Sequence, residues 1–389
     1  ISVNLVHDFD EVVERRGTDS KKYQVYPNDV IPMWIADSDF KAPKPVVDAL
    51  VERMQQGVYG YTPVSSRLRN AAAKWQETRF GWKVDPDTVE FVPGVISGVI
   101  SAVRALSHPG DNIVIQTPCY PPFTDLAEHN GRNLVRNKMV WKDGHYEIDF
   151  EDFEKKVKDP RTKLFILCNP QNPTGRVFTR EELTRLGELC LKYHVIVLAD
   201  EIHGDIVYSG HQHIPFASIS KEFEQNTVSF MNPSKTFNLP GFRTAAFIAA
   251  NPVLKNAVHD VVVNNKAIGE NICGTLAFCT AYEECAYYAD QIVPYLEANR
   301  DLVEETLKDV DGIEVIHAEG TYLLWLDCRK LNMSQEELDK FFLETVKLYL
   351  NSGKTFGPEG ESFLRMNIAC PHSTVKEALE RIKTAVNDL

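Results

Sequence analysis

Short apolar runs alternate with longer amphipathic segments along the first 250 residues of the chain. Each run is bounded by Pro, Gly, Asp or Asn, as is typical of strands that are buried in a sheet. The predicted strands are Val89–Val92, Ile113–Gln116, Asn133–Asn137, Leu164–Cys168, Val195–Ala199, Val228–Met231 and Ala245–Ala250. This alternation favours an α/β fold, in which a mostly parallel sheet carries helices on both faces.

Helical patterns occupy the stretches between several of these strands. Ser97–Leu106 has apolar residues at positions 99, 100, 103 and 106, which share one face of a helix. Thr179–Tyr193 begins with Thr179 and has Glu182 three residues later, the signature of a capping box at a helix start. These helices are the connections that parallel strands require.

The pattern of predicted helices and strands changes after about residue 290. The predicted helices there are Pro294–Lys308, Gln335–Leu350 and Thr374–Asp388, and the predicted strands are Thr321–Asp327 and Phe363–Ile368. Together they indicate a smaller α+β domain. We therefore predict a large domain over residues 41–290 and a small domain over residues 291–389. Residues 1–40 are predicted as an N-terminal segment that packs with the small domain.

Composition excludes several classes of protein. The chain has 389 residues and a net charge of −13, which argues against nucleic acid or an anionic membrane as the main partner. It has no apolar run of 18 residues, so no transmembrane helix is expected. The eight cysteines form no CxxC pair and are expected to be reduced, mostly buried thiols of a cytoplasmic protein.

Candidate chemistry follows the strands, at the edge where parallel sheets bind ligands. Gly94–Gly98 follows the first strand and opens a helix, whose free N–H groups suit a phosphate. Tyr120 follows the second strand and has a ring that can stack on a planar ligand. Asn172 lies in a rigid Asn-Pro turn after the strand at 164–168 and can donate its side-chain N–H to the ligand.

Three charged residues complete this edge of the predicted sheet. Asp200 ends a buried strand, where a carboxylate is costly unless it meets a cation. Lys235 follows the next strand and would lie in a poorly solvated cleft, which favours the neutral amine that Schiff-base chemistry needs. Arg243 has a guanidinium that suits a phosphate. Phosphate, planar ring, basic ring nitrogen and aldehyde together describe pyridoxal 5′-phosphate (PLP).

A metal site is not expected. His211 and His213 could hold an ion, but no carboxylate or cysteine at ligand spacing accompanies them. We expect these two histidines to be solvated in a polar loop.

Three motifs carry a resemblance to a known family. They are NPQNPTG at residues 169–175, LADEIH at residues 198–203 and SKTFNLPGFR at residues 234–243. In this order and spacing they resemble the fold-type I PLP-dependent enzymes of the aspartate aminotransferase superfamily. Residues 32–40, 60–63 and 319–325 are similar to the cystathionine β-lyase and cystalysin-like branch. The resemblance implies a seven-stranded large-domain sheet, PLP as cofactor, an amino-acid substrate and a homodimer.

The resemblance also implies roles for individual residues. Lys235 would bind PLP covalently and later move the Cα proton, with Asp200 paired to the pyridine nitrogen. Tyr61 would reach the phosphate of a second subunit. The implied cofactor contacts are Lys235, Asp200, Asn172, Tyr120, Val95, Ile96, His203, Ser234, Arg243 and Tyr61. The implied substrate contacts are Arg365, which takes the α-carboxylate, with Asn172, Tyr120 and Ala36.

Two departures from the branch leave the reaction type open. Cystalysin-like enzymes tend to carry a second Tyr after the stacking one, and Pro121 stands there in this chain. Arg243 follows the aminotransferase pattern. The long-range resemblance favours a C–S β-lyase that gives pyruvate, ammonia and a thiol, with an aminotransferase as the alternative. A third hypothesis is a regulatory protein with a PLP-enzyme fold, which nothing in the surface pattern supports or excludes.

Overall fold

The structure is a computed structural model that describes residues 5–24 and 27–389. Six residues of the predicted N-terminal segment, 1–4, 25 and 26, lie outside the described residues. The strands are β1 (Ile31–Pro32), β2 (Val89–Val92), β3 (Asn112–Thr117), β4 (Asn133–Lys138), β5 (Val140–Lys142), β6 (His145–Glu147), β7 (Thr162–Cys168), β8 (Ile196–Asp200), β9 (Thr227–Met231), β10 (Ala245–Ile248), β11 (Glu314–Val315), β12 (Leu323–Asp327), β13 (Leu348–Tyr349), β14 (Asn351–Ser352) and β15 (Phe363–Asn367).

A seven-stranded sheet forms the centre of the large domain. Its strand order is β2-β10-β9-β8-β7-β3-β4, and β10 alone runs antiparallel to its neighbours. β2, β3, β7, β8, β9 and β10 are buried along most of their length, which is why these strands read as continuous apolar runs. The α/β fold and the mostly parallel sheet are confirmed.

Helices cover both faces of this sheet and build much of the rest. In the described part of the chain the α-helices are α1 (Lys21–Gln24), α2 (Lys44–Gln55), α3 (Ser66–Phe80), α4 (Val95–Leu106), α5 (Pro121–His129), α6 (Phe150–Lys158), α7 (Arg180–Lys192), α8 (Lys221–Gln225), α9 (Ser234–Phe237), α10 (Pro252–Asn264), α11 (Ile272–Glu284), α12 (Ala286–Leu307), α13 (Gln335–Phe341) and α14 (His372–Asn387). The capping box at the start of α7 is present, with Thr179 and Glu182 bonded reciprocally.

The C-terminal part has its own antiparallel sheet, in the order β11-β12-β15-β14. The N-terminal segment adds β1, which pairs in parallel with β13. Side chains from residues 9–40 join the same hydrophobic cluster as β12, β15 and α14. The domain boundaries at residues 40 and 290 stay predictions.

Two predicted helices differ from the structure. The helix predicted to begin at Pro294 begins eight residues earlier, and α12 continues through Pro294. The helix predicted over Gln335–Leu350 ends sooner, because Lys347 adopts a φ of 65° and the next two residues form β13. In the second case pairing with β1 outweighs the local apolar periodicity.

Candidate active site

Side chains and backbone groups from five strand ends meet in one cavity of about 600 Å³. The cavity is lined by Ala36, Gly94, Val95, Ile96, Tyr120, Asn172, Asp200, His203, Ser234, Lys235 and Arg243, among others. The loops after β2, β3, β7, β8 and β9 supply most of these residues. The structure therefore brings together the groups that the sequence places at this edge of the sheet.

The start of α4 forms one end of the cavity. Gly94 is the N-cap residue and has an extended backbone, and no side chain caps the helix. The first backbone N–H groups of the helix are therefore available to a ligand. Gly98, one turn later, has no room for a side chain, because a Cβ there would lie 2.8 Å from Cε1 of Phe230 in β9. This glycine lets α4 lie directly on the sheet.

Lys235 lies in α9, at the centre of the site. Its Nζ donates to the backbone carbonyl of Ala36 at 2.7 Å. Burial, together with the Arg365 guanidinium, lowers the pKa of Lys235 to about 8, although the Asp37 and Asp200 carboxylates oppose the shift. The lowered pKa increases the neutral fraction of this amine near physiological pH.

Asp200 is buried at the end of β8, and burial raises the pKa of its carboxyl to about 6. Its Oδ1 accepts from the backbone N–H of Ile202 at 3.1 Å, which opposes the shift. One backbone donor does not fully compensate a buried carboxylate. A cationic ring nitrogen in the cavity would supply the missing partner.

Arg365, in β15, is fully buried and faces neutral oxygens. Its Nη1 donates to Oδ1 of Asn172 at 3.2 Å, and its Nη2 donates to Oδ1 of Asn351 at 2.7 Å and to the Trp34 carbonyl at 3.0 Å. Its Nε is buried and has no hydrogen-bond partner among residues 5–24 and 27–389. Burial lowers the pKa of this guanidinium to about 10. The side chain is therefore suited to an anionic ligand.

Two aromatic side chains flank the ligand space. Tyr120 occupies the N-cap position of α5, and its ring meets that of Phe123 edge-on at a centroid distance of 5.8 Å. His203 is buried, and burial with the positive charges of Lys235 and Arg365 lowers its pKa to about 3. Its Nδ1 has no hydrogen-bond partner in the described part of the chain, so a neutral imidazole faces the cavity with an unsatisfied polar atom.

Tyr61 lies away from the other site residues that the sequence predicts. Its side chain is fully exposed, and it lines a separate surface pocket with Tyr59, Glu270 and Asn271. Within one chain it makes no part of the cavity. The predicted action of Tyr61 on a second subunit stays a prediction.

A match over most of the chain decides the family. The family model described as aminotransferase class I and II matches residues 28–382. The chain belongs to the class I and II aminotransferase family. It is similar to the cystathionine β-lyase PatB of Bacillus subtilis strain 168, with 39% identity over 98% of this chain and 100% of the relative.

Solved structures of other family members share the whole fold. Cystalysin from Treponema denticola, which contains pyridoxal 5′-phosphate, superposes with a TM-score of 0.95 at 31% identity, covering 99% of this chain and 100% of that one. The PLP-bound C–S lyase of Staphylococcus hominis gives a TM-score of 0.91 at 31% identity, with 98% of each chain covered. The predicted branch of this aminotransferase family, with its cystathionine β-lyases and C–S lyases, is confirmed.

Several residues around the site of this family member are not predicted from the sequence. Trp34 contributes a backbone carbonyl, Asn351 a side-chain oxygen and Tyr322 a hydroxyl. Ala36, one of the predicted substrate contacts, presents its backbone carbonyl to Lys235. Backbone acceptors leave no trace in residue type. Asn351 precedes Arg365 by 14 residues and meets it only because β14 pairs with β15.

The two histidines of the loop after β8 do not behave alike. His211 is partly exposed, but His213 is buried, with its Nε2 3.8 Å from Oε2 of Glu201. The expectation that both are solvated was wrong for His213, because the loop folds back over Gly204. Among residues 5–24 and 27–389, no group of three or more His, Cys, Asp or Glu side chains could hold a metal ion. Over the same residues no helix is long and apolar enough to cross a bilayer.

Proposed function

We propose that this protein is a PLP-dependent C–S β-lyase that cleaves cystathionine or a related S-substituted cysteine to pyruvate, ammonia and a thiol. The observation that carries the choice of reaction is the full-length likeness to the Bacillus subtilis cystathionine β-lyase, at 39% identity. The cavity itself supports PLP and an amino acid, which both lyases and aminotransferases of the family would bind.

The residues present in the cavity fit PLP. The free N–H groups of Val95 and Ile96 at the start of α4, with Ser234 and Arg243, would hold the phosphate. Asp200 would meet the ring nitrogen and keep it protonated. Lys235 would bind the cofactor carbon covalently.

The remaining ring contacts are polar and stacking. Because Oδ1 of Asn172 accepts from Arg365, its Nδ2 is left to donate to the ring hydroxyl. Tyr120 and His203 line the cavity beside Asp200 and would lie against the ring. The unsatisfied Nδ1 of His203 is consistent with a ligand there.

Arg365 would bind the α-carboxylate of the substrate. Its three oxygen partners in the described part of the chain are uncharged, so the guanidinium could gain a charge-assisted pair with an incoming carboxylate. Asn351 and Trp34 would hold the guanidinium in place before the substrate arrives. Such preorganisation lowers the cost of binding.

The proposed reaction uses Lys235 as the base. Its amine would take the Cα proton of the substrate, and the C–S bond would then break with the electron pair leaving on the thiolate. PLP, when bound, supplies a ring that accepts the electron pair left at Cα. Because burial lowers the pKa of Lys235, part of the amine would be neutral and able to accept that proton.

The proposed assembly is a homodimer that works in the cytoplasm. An exposed apolar strip on α2 and the following segment comprises Val47, Val51, Val58, Tyr59 and Tyr61. A second copy of the chain would cover this strip and bring Tyr61 towards its cavity. The eight unpaired cysteines, seven of them buried, support a reducing compartment.

The first experiment measures products from the PLP-loaded enzyme and L-cystathionine, without any 2-oxo acid. We expect continuous release of thiol, pyruvate and ammonia in equal amounts. A single turnover to the pyridoxamine form, restored by adding 2-oxoglutarate and releasing no thiol, would overturn the lyase assignment. Lys235→Ala serves as the control for non-enzymatic release.

That second outcome would make the protein an aminotransferase. Two residues favour this alternative: Arg243, which follows the aminotransferase pattern, and Pro121, which replaces the second tyrosine of cystalysin-like enzymes and begins α5.

A further inference from the structure

The carbonyl of Ala36 receives two hydrogen bonds from opposite parts of the chain. Lys235 Nζ donates to it at 2.7 Å, and the hydroxyl of Tyr322 donates to it at 2.9 Å. A carbonyl oxygen has two lone pairs, so both donors can be accepted together. Tyr322 and Lys235 therefore share one acceptor, so the Tyr322 hydrogen bond affects the position of the carbonyl that holds the lysine amine.

The backbone around Ala36 is fixed on both sides. Nδ2 of Asn367 donates to the carbonyl of Ile35 at 2.8 Å and to the carbonyl of Asp37 at 2.7 Å. Arg15 and Lys22 form ion pairs with the Asp37 side chain. The carbonyls of residues 35, 36 and 37 thus each accept a side-chain hydrogen bond, and the carbonyl of Ala36 accepts the one from Lys235.

The Tyr322 hydroxyl is placed to act on Lys235 through this carbonyl. It lies just before β12, is fully buried, and is absent from the residues that line the cavity. Its ring meets that of His203 edge-on at a centroid distance of 6.3 Å. The hydroxyl is the polar end of an otherwise packed aromatic residue, and it donates to Ala36.

We propose that Tyr322 is a positioning residue, which fixes the Ala36 carbonyl so that this carbonyl holds the free amine of Lys235 in place for proton transfer at Cα. A neutral amine that donates one N–H to the carbonyl keeps its lone pair directed into the cavity. After it takes the proton, the same bond becomes charge-assisted and stabilises the ammonium. The proposal rests on the role of Lys235 given above.

Other charged groups also act on this amine and must be kept constant in a test. The Asp37 and Asp200 carboxylates favour its charged form, and the Arg365 guanidinium opposes it. His203 faces it as a neutral ring. Tyr322→Phe removes one hydroxyl and leaves all four of these groups unchanged.

The experiment uses Tyr322→Phe with Tyr288→Phe as the matched control. Tyr288 is also fully buried and donates its hydroxyl to a backbone carbonyl, that of Lys41, at 2.9 Å. The first readout is the rate at which apoenzyme recombines with PLP as a function of pH, which follows the neutral fraction of Lys235. The second is kcat and KM for L-cystathionine.

For Tyr322→Phe we expect the midpoint of the recombination profile to move to lower pH by about half a unit, an approximately threefold change in the acid constant of Lys235. The reason is that the ammonium loses part of its carbonyl partner. We also expect kcat to fall about tenfold with KM nearly unchanged, since proton transfer and not carboxylate binding is affected. Tyr288→Phe should keep the wild-type profile and kcat.

A recombination profile and kcat equal to those of Tyr288→Phe would overturn the role of Tyr322. Should Tyr322→Phe not fold, Asn367→Ser tests the same idea, because it frees the carbonyls on both sides of Ala36; no shift of its midpoint would count equally against the proposal. The recombination profile does not depend on the reaction catalysed. A failure of the lyase assignment would appear in the products and leave this result standing.

Discussion

Lys235 and Arg365 are two largely buried basic side chains, close enough for the positive charge of Arg365 to act on the lysine amine. Burial lowers the pKa of both, and the positive charge of Arg365 lowers that of Lys235 further. The arrangement costs free energy in the absence of an anion. A substrate carboxylate on Arg365 would remove part of this repulsion and so link substrate binding to the basicity of Lys235.

Arg365→Ala should therefore weaken substrate binding more than it slows the chemical step. Loss of two charge-assisted hydrogen bonds to the carboxylate should raise KM for L-cystathionine about 100-fold. We expect kcat to change by less than about tenfold, since uniform binding is what is lost. Steady-state kinetics on the PLP-loaded variant check this.

Arg329→Ala is the control for that experiment. Arg329 is exposed and pairs with Asp327 at 2.8 Å, away from the cavity, so its removal should leave both constants unchanged. A KM of Arg365→Ala equal to that of the control would place the carboxylate site elsewhere.

At the scale of single elements, the loop after β8 buries a second acidic group beside the cavity. Glu201 follows Asp200 directly, and burial raises its pKa to about 8, although the backbone N–H of Phe216 donates to it at 2.9 Å. The folded protein thus keeps a proton on Glu201 that the unfolded chain releases above about pH 4.5. The stability it contributes is full below that pH and is lost as the pH rises towards 8.

Glu201→Gln should consequently stabilise the fold more at pH 8 than at pH 5. The amide stays neutral at both values and keeps an oxygen for the N–H of Phe216. We expect its melting temperature, relative to wild type, to be about 2 °C higher at pH 8 than at pH 5. Glu188→Gln, on the exposed face of α7, should change the melting temperature relative to wild type by the same amount at pH 8 and at pH 5. The same equality for Glu201→Gln would mean that Glu201 is ionised in the folded protein.

The elements that the sequence predicts well are those whose pattern is local. The strands of the central sheet are continuous apolar runs, and α7 has its capping box, so both follow from neighbouring residues. The pairing of Leu348–Tyr349 with β1 depends on a segment more than 300 residues away, and the periodicity there points to a helix instead. Likewise, Asp200 and Lys235 can be recognised from the sequence because each is a charged residue at or just after the end of an apolar strand. Tyr322 cannot, because its hydroxyl bonds a backbone carbonyl, which every residue type carries.

At the scale of the whole molecule, Tyr61 belongs to the exposed strip on α2 and the following segment, and it lies outside the cavity of its own chain. A valine-rich helix face and two tyrosines at the surface are costly for an isolated chain. Symmetric pairing would bury the strip on both copies and place two cavities at one interface. Each cavity would then combine Lys235 of one copy with Tyr61 of the other.

Mixing two inactive variants tests this arrangement directly. Lys235→Ala and Tyr61→Ala are expected to be inactive alone. After unfolding and refolding as an equal mixture, half of the dimers would be mixed, and each would carry one intact cavity and one with both changes. Random pairing thus predicts recovery of about one quarter of the wild-type pyruvate release.

Mixing Lys235→Ala with Asp200→Ala should recover none, because these two residues lie in the same cavity of the same chain. If the first mixture also stays inactive while each variant refolds as a dimer, Tyr61 does not act across the interface.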